Sequence, residues 1–219
     1  NAPIAFAVAD ATRLPLPVAR VLAHRGIAPD EAESFLSPTL RDLLPDPLTL
    51  RDMGKAAERI LKAVAAGERI AIFADYDVDG ATSGALLHLW LRDMGREATL
   101  YVPDRIDEGY GPNEPAMAAL AKGHSLIVCV DCGTLSHGPI AAAKGADVIV
   151  LDHHMATEEL PPAVAVVNPN RLDDPSEHGN IAACGLTFLF LVALNRALRE
   201  MNYYEDEGIS PPDLMGMLD

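Results

Sequence analysis

The fold of this chain is decided by the stretch RIAIFADYDVDGATS, residues 69–83. Its first part, Arg69–Ala74, is a short apolar run that predicts a buried β-strand. Gly80 begins a helix that is predicted to extend to Met94. Between the strand and the helix lie three carboxylates, those of Asp75, Asp77 and Asp79. A strand, a polar loop and a helix in this order are typical of the first unit of a parallel α/β sheet.

The same alternation of apolar strands and helices continues along the chain. Further strands are predicted at Ala98–Val102, Leu126–Val130, Val148–Leu151 and Ala165–Val167. Further helices are predicted at Asn113–Lys122, Ser136–Lys144 and Cys184–Glu200, and a loop at Asn202–Pro212. Strands alternating with helices predict a parallel sheet with right-handed connections and helices on both faces. We therefore predict one α/β domain over residues 68–219.

Residues 1–67 differ in character and are predicted to form a helical lead-in to the sheet domain. In Asp52–Ala66 the apolar residues recur at helical spacing, and Gly67 ends the helix. Pro17–Arg25 is a shorter amphipathic stretch, and several prolines interrupt the segment between the two helices.

Acidic and imidazole side chains follow three of the predicted strands. Asp131 comes directly after Leu126–Val130, and Asp152-His153-His154 comes directly after Val148–Leu151. Because the carboxyl ends of parallel strands line the ligand crevice, these side chains should meet the three carboxylates of residues 75–79. So many carboxylates cannot stay ionised side by side without cations. Oxygen and imidazole ligands suit Mn²⁺ or Mg²⁺, and two such ions can hold a phosphoryl group.

Composition and charge narrow the class of protein. The 219 residues carry a formal charge of −15. Residues 1–70 contain nine basic and nine acidic side chains, so the whole excess of acid lies in residues 71–219. That distribution argues against a large basic DNA-binding face on this part of the chain. No apolar run approaches the roughly 20 residues that span a bilayer, and no secretory leader is recognisable.

The three cysteines are an odd number, which disfavours a disulfide framework and fits a reducing cytoplasm. Cys129 and Cys132 have the spacing of a zinc knuckle. Without a second pair, and with Cys129 inside a predicted strand, the structural interpretation is favoured over zinc ligation.

The ordered motifs resemble the DHH phosphoesterase superfamily: Asp77-x-Asp79-Gly80, then Asp131, then Asp152-His153-His154. Within that superfamily the chain is similar to the RecJ family of single-strand-specific 5′→3′ DNA exonucleases. The stretches that carry this closer resemblance are Phe35–Pro38, Asp75–Ser83, Pro103–Arg105, Glu108–Gly111 and Asn168–Asn170.

The resemblance implies a hydrolase that cleaves single-stranded DNA in repair and recombination, with DNA and other repair proteins as partners. It also implies a longer protein, because RecJ proteins carry a DHHA1-type and an OB-like domain that this chain lacks. The 219 residues alone are then expected to be weakly active or inactive. Alternatives are a DHH phosphoesterase acting on short oligonucleotides, cyclic dinucleotides or pyrophosphate, and a non-catalytic relative that serves as an interaction module.

The superfamily pattern also implies roles for single residues. Asp77 and Asp131 would hold one ion, Asp79 and His153 the second, with Asp131 as the bridge. Asp219 is a candidate for a further ligand, and His154 is either a ligand or a donor to a phosphate oxygen. Asp75 and Asp152 are expected to contact the metal ligands and orient them, without binding the ion themselves. The candidates for phosphate or substrate binding are Thr82, Ser83, Arg105, His137 and Arg171.

Overall fold

A computed structural model of the protein describes residues 2–218. Its internal contacts divide the chain into two compact units, Asn1–Asp46 and Pro47–Asp219. Among the described residues, no helix combines the length and the apolar character needed to cross a membrane.

The first unit is helical. Its four helices are α1 (Ala2–Thr12), α2 (Leu16–His24), α3 (Ala32–Leu36) and α4 (Leu40–Leu43). The first three enclose a small apolar cluster of Val8, Ala19, Leu22 and Ala32. Helix α1 lies within the predicted helical lead-in of residues 1–67, but neither Pro17–Arg25 nor Asp52–Ala66, the helices predicted there, covers it. Its run of alanines and apolar residues has high helix propensity but no marked polar face to reveal it.

The second unit is an α/β domain. It starts with a 3₁₀ turn at Pro47–Thr49 and helix α5 (Met53–Ala66). The strands are β1 (Ile70–Ala74), β2 (Ala98–Tyr101), β3 (Leu126–Val130), β4 (Asp147–Leu151) and β5 (Ala165–Val167). The remaining helices are α6 (Val78–Asp93), α7 (Glu114–Ala121), α8 (His137–Ala142), α9 (Ala183–Glu200) and α10 (Tyr203–Glu207). Helix α10 corrects the predicted loop at Asn202–Pro212, where a five-residue acidic helix forms because Tyr204 packs into the core.

All five strands are parallel, in the order β2-β1-β3-β4-β5. Apolar residues cover both faces of the sheet, as expected for a parallel sheet buried on both sides. Ile70 and Ile72 point to the face that α5, α6 and α9 cover. Ala71 and Phe73 point to the face that α7 and α8 cover. The predicted fold class, a parallel α/β sheet with helices on both faces and a helical N-terminal segment, is confirmed.

Helix α5 belongs to the second unit, so the contacts divide the chain after Asp46 and not after residue 67. The helix packs on α9 and on β5. Its buried side chains, including Met53 and Ile60, join the same apolar cluster as the sheet. The boundary between a lead-in of residues 1–67 and a domain of residues 68–219 stays a prediction about domain organisation.

A buried arginine ties the start of α5 to the loop after β5. The Arg171 guanidinium lies 2.7 Å from the carboxylate of Asp52 and 2.9 Å from that of Asp173. It also donates a hydrogen bond to the carbonyl of Val166 at 2.6 Å. Burial alone would raise the pKa of Asp52, but hydrogen bonds from Lys55 and Arg171 hold it below its usual value. The ionised form of Asp52 therefore stabilises the fold.

We predict that Asp52→Asn lowers the free energy of unfolding by about 1–3 kcal/mol near neutral pH, because Arg171 loses a charged acceptor. The difference from the parent should shrink as the pH falls below about 4, because the parent carboxyl then becomes protonated as well. Urea unfolding at a series of pH values, in the presence of a chelator, measures both effects.

The control is Asp93→Asn, since Asp93 pairs with an arginine whose side chain is 65% exposed. Its effect should stay within about 0.5 kcal/mol. A loss for Asp52→Asn that grows toward low pH is the result that contradicts the assignment.

Candidate metal centre

Three aspartates stand in a row at the carboxyl edge of the sheet. The register pairs the last residues of β1, β3 and β4 with one another, so the next residues, Asp75, Asp131 and Asp152, lie at the same level. Their backbone amides continue the ladder: each donates to a carbonyl of the neighbouring strand, at 3.3, 2.9 and 3.1 Å respectively. The sheet itself therefore places the three carboxylates side by side.

Asp131 is the centre of this row. Its φ of 61° lies in the left-handed region, which a short polar residue tolerates better than a branched one. The residue is 1% exposed, and its Oδ1 is buried with no hydrogen-bond partner among residues 2–218. Burial, together with the charges of Asp79 and Asp77, raises the pKa of Asp131 to about 8. A buried carboxylate of this kind has its natural counter-charge in a cation.

One group of possible metal ligands consists of Asp75, Asp77 and Asp131, whose carboxylate oxygens lie within 4.8 Å of one another. Asp77 caps α6 by accepting a hydrogen bond from the amide of Gly80 at 3.0 Å. Only glycine fits at that position, because a Cβ would lie 2.5 Å from the carbonyl oxygen of Asp75. Asp75 is 2% exposed, and its Oδ1 has no partner among the described residues. Asp75 is thus placed as a possible ligand and not only as an outer partner.

A second group consists of Asp131, His153 and His154, again with ligand atoms within 4.8 Å. The Nδ1 of His153 lies 3.0 Å from the carbonyl oxygen of Ile181, which can only accept, so this nitrogen carries the hydrogen. Its Nε2 lone pair then faces Asp131 Oδ1 at 3.3 Å. Asp131 belongs to both groups, and its role as the bridge between two ions stays a prediction.

Asp79 joins the centre from the first turn of α6. Its Oδ2 lies 3.5 Å from Nε2 of His153. The same carboxylate accepts hydrogen bonds from the amides of Ala183 and Cys184 at 2.8 and 2.7 Å. These amides open α9, where a negative charge is favoured by the helix dipole. Asp79 therefore fixes the N-terminus of α9 against the site.

Asp152 has the opposite environment to Asp131. Its carboxylate accepts from the amide of Thr134 at 3.0 Å and from the amide of His153 at 2.8 Å. It also lies 2.7 Å from Nδ1 of His154. Burial alone would raise the pKa of Asp152, but hydrogen bonds from His154 and Thr134 lower it to about 2. Asp152 thus contacts both histidines, and its role in orienting metal ligands stays a prediction.

Arg105 lies beside the acidic centre on the exposed loop after β2. Its guanidinium carbon is 5.4 Å from the ring centre of Tyr76, the residue between Asp75 and Asp77. The ring of Tyr76 meets that of Tyr110 edge-on at 6.4 Å. A cation and two aromatic rings therefore border the carboxylates on the side of β2.

The other residues that the sequence predicted to bind phosphate or substrate lie in different environments. Arg171 is not at the centre, because its guanidinium is committed to Asp52 and Asp173 and its side chain is 6% exposed. Ser83 is fully buried within α6 and cannot touch a substrate. The Thr82 hydroxyl donates back to the carbonyl of Val78 at 2.7 Å, although the residue is exposed. His137 is half-buried at the start of α8, and Asp219 lies outside the described residues.

Comparison with known proteins agrees with this geometry. The family model of the DHH family, N-terminal domain, matches residues 69–216. The chain belongs to the DHH family. Helix α5 and the first unit lie before the matched range, and the carboxyl edge of the DHH sheet with its acidic centre lies within it.

Curated relatives of this DHH chain are single-stranded-DNA-specific exonucleases named RecJ. The protein from Dickeya dadantii is 40% identical over 210 residues, which are 94% of this chain and 36% of the relative. The protein from Bacillus subtilis is 38% identical over 81% of this chain and 23% of the relative. The chain thus spans about a third or less of the length of these relatives.

Solved structures show the same likeness. A crystal structure of exonuclease RecJ bound to manganese matches with a TM-score of 0.62 and 32% identity, over 74% of this chain and 40% of that one. RecJ from Thermus thermophilus in complex with Mn²⁺ matches with a TM-score of 0.71 and 28% identity, over 96% of this chain and 28% of that one.

The residues of the centre fit a divalent cation. Carboxylate oxygens and imidazole nitrogens are the donors that Mn²⁺ and Mg²⁺ accept. Buried oxygens of Asp75 and Asp131 have no hydrogen-bond partner among residues 2–218, so they are available to an ion.

Sequence reasoning missed Thr134 and the role of Asn168. Asn168 was noticed as part of a motif, but nothing in the local pattern says what its side chain touches. It is fully buried and donates hydrogen bonds to Thr134 and to the carbonyl of His154. The sequence signal for this role was the position of Asn168 directly after a buried strand, the next strand along the chain from the histidines.

We predict that Asp131→Asn weakens Mn²⁺ binding by at least about 100-fold, because both groups of ligands lose the negative charge and one of the two oxygens of the shared carboxylate. The same substitution should raise the midpoint of thermal unfolding in a chelator, because it removes a buried carboxylate that Asp77 and Asp79 repel. Calorimetric titration with MnCl₂ and a thermal melt in EDTA measure the two effects.

The control is Asp206→Asn, which removes an exposed acidic charge on α10 and should change neither quantity. Unchanged Mn²⁺ affinity in Asp131→Asn, or a lower melting midpoint in EDTA, would show that Asp131 is an ordinary structural residue.

Proposed function

We propose that this chain is the metal-binding part of a phosphodiesterase that degrades single-stranded DNA from an end, in the manner of the RecJ exonucleases. The observation that carries the proposal is the buried carboxylate of Asp131, which is shared by two groups of metal ligands. A bridging carboxylate between two ion positions suits an in-line attack on a phosphate.

The similarity to RecJ proteins supports the choice of substrate. The relatives named above are single-stranded-DNA-specific exonucleases, and two structures of RecJ contain Mn²⁺. Because this chain spans only part of their length, the activity, the polarity and the DNA partner of the whole protein are proposals.

In the proposed mechanism, Asp75, Asp77 and Asp131 would hold one divalent ion. Asp131, His153 and His154, with Asp79 beside them, would hold the other. When bound, such ions supply positive charge for the phosphate and lower the pKa of a water that attacks phosphorus. Each histidine carries its hydrogen on Nδ1, which leaves Nε2 of His153 free to act as a ligand, while Nε2 of His154 lies 3.3 Å from the hydroxyl of Tyr110. Asp152 keeps His154 in that tautomer through its 2.7 Å contact.

Binding of a nucleic acid by this acidic chain needs cations and stacking surfaces. Arg105 is exposed and borders the centre, so it can contact a phosphate next to the one being cleaved. Its planar fork of donors matches phosphate oxygens in a way that lysine does not. The exposed ring of Tyr110 offers a surface on which a base of a single strand can stack.

The cellular setting follows from the same proposal. All three cysteines are unpaired, two of them buried, which suits a reducing cytoplasm. An enzyme that degrades single strands from their ends would serve DNA repair and recombination.

The proposed activity can be tested directly. The protein is incubated with Mn²⁺ and a labelled single-stranded oligonucleotide, with the same sequence as a blunt duplex, with a cyclic dinucleotide and with pyrophosphate. Because the 219 residues alone should be weakly active, we expect slow release of mononucleotides from the single strand, less product from the duplex, and no product with Asp131→Asn. Turnover of the cyclic dinucleotide or of pyrophosphate in place of the single strand would identify another DHH phosphoesterase.

We predict that Arg105→Ala weakens binding of a 5′-phosphorylated single strand by about 1.5–3 kcal/mol, the usual value of a charge-assisted hydrogen bond. Arg105→Lys should recover only part of the loss, because the ammonium lacks the fork of donors. Fluorescence anisotropy with a labelled oligonucleotide gives the affinity, and titration with MnCl₂ should be unchanged in both variants. Equal DNA affinity of the parent and Arg105→Ala would reduce Arg105 to a surface residue.

A further inference from the structure

Asn168 lies directly after β5, is fully buried, and uses its side chain entirely within the loops of the metal centre. Its Nδ2 donates to the hydroxyl oxygen of Thr134 at 2.8 Å and to the carbonyl of His154 at 2.9 Å. Its Oδ1 accepts from the amide of Asn170 at 2.7 Å. The contacts therefore join the loops after three neighbouring strands, β3, β4 and β5.

These contacts fix the direction of a chain of hydrogen bonds. Because an amide nitrogen can only donate, the hydroxyl of Thr134 must accept from Asn168. The backbone amide of Thr134 donates to the carboxylate of Asp152 at 3.0 Å. Asp152 is thereby surrounded by donors and acts only as an acceptor. Nδ1 of His154, 2.7 Å away, must carry a hydrogen, and the hydroxyl of Tyr110 lies 3.3 Å from Nε2 of the same ring.

A second amide holds the neighbouring histidine in a similar way. The Nδ2 of Asn170 donates to the carbonyl of His153 and, at 3.1 Å, to the carbonyl of Gly179. The carbonyls of both histidines are thus held by side chains from the loop after β5. Their amides are held by Asp152, at 2.8 and 3.2 Å.

We propose that Asn168 and Thr134 are positioning residues that set the ring orientation and the tautomer of His154 for metal binding. The inference rests on the proposed metal-dependent function and extends it beyond the ligands themselves. Residues behind metal-binding histidines commonly fix the tautomer and the direction of the ring. A purely structural buried asparagine has other partners: Asn195, equally buried, bonds to Trp90, Tyr204 and Pro212, none of which belongs to the metal centre.

The sharpest test is the pair Thr134→Val and Thr134→Ser. Valine keeps the shape of threonine and removes the hydroxyl, so Asn168 loses its acceptor and no longer holds the loop whose amide donates to Asp152. Serine keeps the hydroxyl. We expect Thr134→Val to raise the Kd for Mn²⁺ about tenfold or more, and Thr134→Ser to restore it to near the parent value. Asn168→Ala should weaken Mn²⁺ binding at least as much.

Thermal melts in EDTA separate positioning from general stability. The matched control is Thr99→Val, which removes a hydroxyl bonded to His124 at 2.8 Å on β2 and should leave Mn²⁺ affinity unchanged. Thr134→Val still tests the proposal if Asn168→Ala fails to fold, because it conserves shape.

The outcomes distinguish a failure of the proposed metal centre from a failure of the positioning role of Asn168 and Thr134. If the parent chain does not bind Mn²⁺, the proposed function fails. If the parent binds Mn²⁺ but folded Thr134→Val binds it equally well, or Thr134→Ser is as weak as Thr134→Val, the positioning role is overturned while the metal centre stands.

Discussion

Repulsion among carboxylates at one edge of the sheet is the constraint on which the rest of the structure depends. Parallel pairing of β1, β3 and β4 brings Asp75, Asp131 and Asp152 to one level, whatever their charges. Like charges in a buried setting destabilise the ionised state unless donors or cations compensate them. The loops around the aspartates compensate the negative charge in different ways. This difference separates the candidate metal ligands from the residues that hold them in place.

Two aspartates on neighbouring strands illustrate the division. Asp152 is surrounded by backbone and side-chain donors, which lower its pKa to about 2, and it holds the histidines in place. Asp131 is equally buried but has an oxygen without a partner among the described residues, and its pKa rises to about 8. The fold therefore tolerates an unfavourable charge at Asp131, and a divalent cation is the group that would relieve it. Asp131 therefore destabilises the metal-free fold, and it does so at the position where the proposed chemistry occurs.

Rigid support for the centre extends well beyond its ligands. Asp79 ties the N-terminus of α9 to the site, and Asn168 ties together the loops after β3, β4 and β5. The loop after β5 is itself anchored by Arg171, whose ion pair with Asp52 reaches back to the start of α5. Arg171 thus contributes to the site by holding the scaffold and not by binding phosphate. Through the same contact, helix α5 is tied to the sheet unit.

The sequence alone determined the parallel α/β fold and named most of the candidate ligands, because both depend on local patterns. An apolar strand followed by Asp or His is visible in the chain, and parallel strands bring such ends together. Only the tertiary structure decided what each polar side chain faces. It turned Arg171 into a buried ion-pair partner, brought Asp75 within reach of a metal, and revealed Thr134 and Asn168 behind His154. Those roles depend on contacts between residues far apart in the chain, and no local periodicity encodes them.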